Sequence, residues 1–322
     1  MLMTGGLAAE LGHGHWPPRR LLFELSPVTP RRATDWIVMA GLVACWGSTF
    51  AALKIAVAHI HPLWNTAIRL WIGVASLGVV LALQRQALPS LRDPAWRFYA
   101  VTGTIGMAAP FALYAYSAQH VASAVNAMCN GASPIFTAAL AHVFVAGDRM
   151  TPRRIGGVGL GFLGLIVLVA PRLTGGMTLE ATGLIAALIG AVLYAVANVL
   201  IKRTPPVSAS LGAFMMVLWA ALFAIVLALV AAPAPTWPPL SSLVAVTALG
   251  VFPTAFASIG YVYIIQRRGP LFVSMGIYVA PLWAVVIGIA FMGERPNWTA
   301  FAALALILAG VGLTTFEPRR VG

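Results

Sequence analysis

Charge is scarce in this sequence. Charged residues make up 9 % of the chain, where a soluble globular chain carries about a quarter. The acids are fewest. The eight are Glu10, Glu24, Asp35, Asp93, Asp148, Glu180, Glu294 and Glu317, and none lies inside a long apolar run. Cysteine is scarcer still: Cys45 and Cys129 are the two present. Two cysteines, both inside apolar runs, make no disulfide framework and no metal-ligand spacing. Acid pairs, histidine clusters and activated nucleophiles are also missing from the apolar runs. Ser48 and Ser133 have no acid or base nearby in sequence, which weighs against a membrane enzyme.

Apolar residues are abundant, at 60 % of the chain, and mean hydropathy is +0.91. They gather into runs near the roughly 20 residues a helix needs to cross a bilayer. We read ten spans, at 35–58, 63–83, 95–117, 122–146, 155–170, 181–201, 208–231, 240–265, 271–292 and 298–316. Lipid offers no partner to free backbone groups, so spans are helices or closed barrels. Runs this long and continuous are helices, because barrel strands are shorter and alternate. The expected fold is an all-α membrane protein of ten transmembrane helices, without a soluble domain. Residues 1–34 read as a cytoplasmic, disordered tail lacking the apolar core of a signal peptide. His13 and His15 within it are two candidate ligands without a third.

The net charge of +12 invites a nucleic-acid reading. Its distribution argues otherwise. Sixteen of the 20 basic residues fall in the tail and in alternate short loops; the loops between carry only Arg172 and Arg295, and Lys54 and Arg69 sit within spans. By the positive-inside rule this places both termini in the cytoplasm.

The two halves resemble each other. Tyr114, Tyr116 and Gln119 recur as Tyr261, Tyr263 and Gln266 at an offset of 147, and Met128 and Pro134 meet Met275 and Pro281. At an offset of 148, Trp46 meets Tyr194 and Lys54 meets Lys202. Five spans per half is an odd number, so the second half (180–316) enters the membrane inverted relative to the first (35–172). Inverted repeats are a transporter architecture, because they give two near-equivalent conformations, each open to one side. A structural or sensory protein has no need of one.

Several stretches carry a family resemblance. Trp46-Gly47-Ser48-Thr49-Phe50 is similar to a WGS-x-F segment of the drug/metabolite transporter superfamily, and Arg69 falls early in span 2 as it does there. Pro134 precedes Gly147-Asp148-Arg149, and Pro281 precedes Gly293-Glu294-Arg295. The family's closing pair is Glu-Arg, so Asp148 is a departure. Nearly the whole chain after residue 34 resembles the ten-helix EamA-type exporters, most like those for aromatic and hydrophobic amino acids. The resemblance implies a central cavity and export of amino acids or other metabolites across the inner membrane. Small multidrug-type exchangers of the superfamily depend on a mid-membrane acid that this sequence lacks, which argues against carboxylate-coupled export of lipophilic cations.

We expect the cavity between spans 1, 3, 4, 6, 8 and 9. The candidates are Trp46, Ser48, Tyr114, Asn126, Asn130, Pro134, Tyr194, Asn198, Tyr261, Tyr278 and Pro281. Pro134 and Pro281 each remove a helix hydrogen bond, freeing the carbonyls of Asn130 and Ile277. Asn126 and Asn130 share a helix face. Each competes with a simpler role: packing kinks for the prolines, helix-to-helix bonds for the asparagines, interfacial anchoring for the tyrosines. Only one of Tyr114 and Tyr116 can face the cavity, since residues two apart differ by roughly 200°. Lys54, roughly 29 Å of helix beyond Asp35, is expected to snorkel at the outer surface, and Arg69 to snorkel, make a structural contact or meet an anion. The expected partners are a small-molecule substrate and the bilayer. No cofactor, metal or nucleic acid is expected, and a monomer is compatible with every feature.

Overall fold

Backbone groups in hydrocarbon must be satisfied within their own segment, and every regular element of the protein is helical among the described residues. The structure is a computed structural model; it describes residues 33–90, 92–144, 151–173, 178–201, 207–268 and 270–315. The helices are α1 (Ala33–Val57), α2 (Pro62–Leu83), α3 (Ala95–Gly103), α4 (Ala109–His120), α5 (Ser123–Gly131), α6 (Ser133–Phe144), α7 (Pro152–Leu173), α8 (Leu179–Ile201), α9 (Ala209–Ala231), α10 (Leu240–Leu249), α11 (Ala257–Arg268), α12 (Pro270–Met292) and α13 (Trp298–Thr315). Two π-helical segments, Thr104–Ala108 and Gly250–Phe256, join α3 to α4 and α10 to α11 into single rods. Seven helical stretches among the described residues are long and apolar enough to cross a membrane. Polar punctuation marks the starts. His61 Nδ1 accepts from Leu63 N–H ahead of Pro62, and Ser208 Oγ accepts from Leu211 N–H at α9.

The expected spans agree with these rods within a few residues, except for the fourth. That run is broken into α5 and α6 at Ala132. Pro134 therefore sits in the first turn of a new helix, where its missing N–H is no loss, and does not kink a continuous one. Pro281 lies inside an unbroken α12. The π segments are likewise absent from the sequence reading. Both have a proline beside or within them, Pro110 and Pro253. Thr104–Ala108 shifted by 147 residues gives 251–255, inside the second segment. The irregularity itself repeats.

Packing pairs the halves. α2 lies along α9, α7 along α13, α4 along α8 with α1 against α10 and α11, and α1 along α12 with α8 against α5 and α6. The α7–α13 seam is built on glycine. A Cβ on Gly310 would stand 2.6 Å from both Gly157 O and Gly161 N, and one on Gly164 would stand 2.9 Å from Ala303 O. Small residues let helix backbones approach this closely, the device membrane helices use where water supplies no drive to associate. Gly310→Val should cost about 1–3 kcal/mol through overpacking, read as a fall in Tm of the purified protein. Gly312→Val is the control, since a Cβ there meets nothing within 4 Å. Equal effects of the two changes would contradict the seam.

Candidate functional site

The site begins at Pro253. A proline cannot donate to the carbonyl four residues back, here that of Leu249. Thr254 supplies the missing donor: its hydroxyl donates to Leu249 O at 2.8 Å. The same oxygen accepts from Arg69 Nε–H at 3.2 Å, on α2. Arg69 does not snorkel. It is 5 % exposed, and its guanidinium carbon lies 3.9 Å from the centroid of the Phe111 ring. Phe111 thus sets a ring against a cation, and the π segment around Pro253 carries the Thr254 hydroxyl that holds it. Neither role was visible in the sequence, although the two prolines marked the places.

Phe111 opens a run of rings. It meets Tyr194 of α8 edge-on at 6.3 Å; Tyr194 stacks on Tyr114 at 5.8 Å and 28°; Tyr114 meets Phe50 of α1 edge-on at 5.9 Å. Gly190 leaves room for the stack, since a Cβ there would stand 3.1 Å from the Tyr114 ring. Tyr114 is 3 % exposed and its hydroxyl has no partner. Asn126 on α5 is fully buried; its Nδ2–H donates to the Tyr114 carbonyl at 3.0 Å, and its Oδ1 is unpartnered. Tyr116 points away, its hydroxyl 3.0 Å from that of Thr182 and its ring against His120.

A second ring pair stands apart from this run. Trp46 of α1 meets Tyr261 of α11 edge-on at 6.1 Å, amid Met39, Leu42, Val43 and Ile264. Trp46 and Tyr194, matched across the halves by sequence, do not belong to one ring pair. They are counterparts in two separate pairs. Trp46 corresponds to Tyr194 and Tyr261 to Tyr114, so each half supplies one ring to each pair. Tyr261 is 39 % exposed, against 3 % for Tyr114.

The remaining candidates are tied to neighbouring helices. Ser48 accepts from Trp283 Nε1–H at 2.9 Å and borders a cavity of about 270 Å³ with Cys45, Phe252 and Pro253. Gly47 beside it abuts Ala280 O and Trp283. Asn198 is exposed, and its Nδ2–H donates to Thr137 Oγ1 at 3.4 Å. Asn130 is half-buried at the end of α5, and Pro134 begins α6. Pro281 is buried, with its ring 3.0 Å from where a Gly131 Cβ would lie, so the break in α5–α6 rests on the proline of α12. The Tyr278 side chain and the corner Gly147-Asp148-Arg149 lie outside the described residues.

One end of the bundle is bolted. Glu294 follows α12, and its carboxylate accepts from Ser123 N–H at 2.6 Å and Ala124 N–H at 3.1 Å, the free donors at the start of α5. Lys54 Nζ donates to the same carboxylate at 3.5 Å and to Val121 O at 3.2 Å. Lys54 is thus paired rather than snorkelling, and the second corner motif caps a helix of the first half. Gln119 adds a bond to Val57 O, Ser242 one to Ile55 O and Trp64 one to Pro233 O, all at this end. A cavity of about 610 Å³ opens beside them, lined by His59, His61, Trp64, Ile68 and Trp237 among others.

A fold of two matched halves agrees with comparison to known proteins. The EamA-like transporter family matches twice, over residues 35–170 and 181–316. The chain belongs to this family. It is an integral membrane protein and a membrane transporter. The uncharacterized inner membrane transporter YedA of Escherichia coli K12 is 28 % identical over 276 residues, spanning 85 % of this chain and 88 % of the relative. The aromatic amino acid exporter YddG of Ancylobacter novellus is 27 % identical over 294 residues, 90 % of this chain and 99 % of its own. One crystal structure superposes with a TM-score of 0.63 at 24 % identity, covering 90 % of this chain and all of that one, which shows a shared fold.

Proposed function

We propose that this EamA-like transporter exports small neutral or zwitterionic metabolites, aromatic and hydrophobic amino acids foremost, across the inner membrane. It does so by alternating access through a ten-span bundle of two inverted five-span halves, with both termini cytoplasmic. One observation carries the reading: the ring pairs Tyr114–Tyr194 and Trp46–Tyr261 occupy corresponding positions of the two halves. Inversion puts such pairs at opposite ends of one pathway. Here the outer pair is buried and the inner one half-open, with the outer end bolted by Glu294. That describes a state closed to the outside. The aromatic lining suits a flat apolar side chain, which also fits the name of the Ancylobacter relative.

Counterflow in proteoliposomes tests this. Labelled phenylalanine should enter vesicles preloaded with unlabelled phenylalanine. Tyr194→Ala and Trp46→Ala should each slow exchange about tenfold or more, as loss of a well-buried aromatic contact does, while folded protein remains. Full activity in both variants would overturn the proposed pathway.

A further inference from the structure

An arginine held in the interior of a membrane protein needs an anion or a ring of acceptors. Arg69 has neither in full. Its partners are one hydroxyl and one aromatic face, and the guanidinium carries five N–H donors. Among the described residues no carboxylate reaches it; the ion pair in that set joins Lys54 to Glu294. One turn earlier on α2 stands Asn65, 1 % exposed, with both its Nδ2 and Oδ1 unpartnered. Residues four apart lie on one helix face. A buried amide with every hydrogen bond unmade is costly, and the same face carries a buried cation with donors to spare. A buried cation and a buried amide thus share one face of α2 with hydrogen-bonding capacity to spare. The aromatic run from Phe111 to Tyr194 to Tyr114 begins at this guanidinium.

We infer that Arg69 and Asn65 hold the carboxylate of the transported solute, with its apolar side chain laid along Tyr194. This rests on the proposed transport function and names the recognition within it. A carboxylate matches the planar fork of arginine, and the Asn65 amide donates to the same group or accepts from an α-ammonium. Thr254 and Phe111 position the guanidinium, and the Pro253 bulge aims the hydroxyl that holds it. The solute class is therefore the carboxylic acid, amino acids included, and aromatic amines without a carboxylate are excluded.

Three probes read this with the full chain purified in detergent: L-phenylalanine, 3-phenylpropionate, which lacks the amine, and phenethylamine, which lacks the carboxylate. Thermal stabilisation should give both carboxylates at least about tenfold tighter binding than phenethylamine, the scale of one charge-assisted hydrogen bond. Arg69→Gln should erase that preference, and Arg69→Lys should keep part of it. Asn65→Leu supplies the sharper sign. Removing an unpartnered buried amide should raise the Tm of the ligand-free protein while weakening 3-phenylpropionate about tenfold; a merely structural asparagine would lower the Tm. The inference is overturned if wild-type protein binds phenethylamine as well as 3-phenylpropionate, if no carboxylate stabilises it, or if Asn65→Leu loses stability and keeps its affinity. Should Arg69→Gln fail to fold, the probe series on wild type and Asn65→Leu still decides. A protein that binds carboxylates through Arg69 and moves none of them across a vesicle fails the transport reading and leaves this one standing.

Discussion

Tyr114→Phe should raise the Tm of this protein, and Tyr114→Ala should lower it sharply. The ring is packed between Phe50, Tyr194 and the bare backbone of Gly190. Emptying that space should cost about 3–5 kcal/mol, the usual penalty for a buried aromatic cut to alanine. The hydroxyl is a different matter. It is buried and without a partner in this conformation, so deleting it should gain on the order of 1 kcal/mol. A partner gained by the hydroxyl in the opposite state would give the substitution a second effect. Tyr114→Phe then stabilises the state described here and slows exchange, pairing higher stability with lower activity. Thermal unfolding and counterflow on the same preparation check both. A Tyr114→Phe variant less stable than wild type would contradict the burial argument.

The second large effect is expected at Glu294. Truncation to alanine strips α5 of the acceptor for its first two N–H groups and leaves Lys54 with one carbonyl partner. A helix cap contributes about 1 kcal/mol, and hydrogen bonds to a charged group about 1.5–3 kcal/mol each, so Glu294→Ala should cost roughly 3 kcal/mol or more. Lys54→Met should cost far less, about 1 kcal/mol at most, because Lys54 is 35 % exposed and exposed ion pairs contribute little. The order of the two effects is the test, measured as Tm in detergent. Equal losses would mean that the ion pair, and not the helix cap, holds this end together. The bolt joins the end of α12 to the start of α5 across the two halves, so its loss should also loosen that end of the bundle.

The rods of the fold were legible in the sequence because a transmembrane helix is a local object: 20 apolar residues announce themselves. The repeat was legible too, and the structure gave it a meaning that the residues alone could not. Trp46 and Tyr194, matched across the halves, sit in separate, corresponding ring pairs. What stayed hidden depends on distant partners. Arg69 looked free to snorkel because Thr254, 185 residues away, cannot be seen from α2. Glu294 read as a loop residue because the helix it caps lies 171 residues earlier. The break at Ala132 had its signals in Gly131 and Pro134, yet a lone proline in an apolar run marks a kink as readily as an end. The π segments left only Pro110 and Pro253 as traces. The bonds that tie Ser48 to Trp283 and Asn198 to Thr137 likewise join helices far apart in the chain.

Alternating access between inverted halves is most directly tested by labelling from each side. Ser117 and Ile264 are counterparts at the repeat offset, and both are fully buried. In protein lacking Cys45 and Cys129, a single cysteine in place of Ser117 should be shielded from an impermeant thiol reagent outside, and one in place of Ile264 shielded from the same reagent on the cytoplasmic side. Tyr114→Ala or Glu294→Ala should raise labelling at 117 from outside, and Tyr261→Ala should raise labelling at 264 from the cytoplasm. A single cross-seam contact contributes about 1 kcal/mol, enough to shift a near-balanced equilibrium severalfold. Opposite shifts from variants at opposite ends are the predicted result. Labelling from both sides unchanged in all three variants would contradict the account and leave the rings as packing alone.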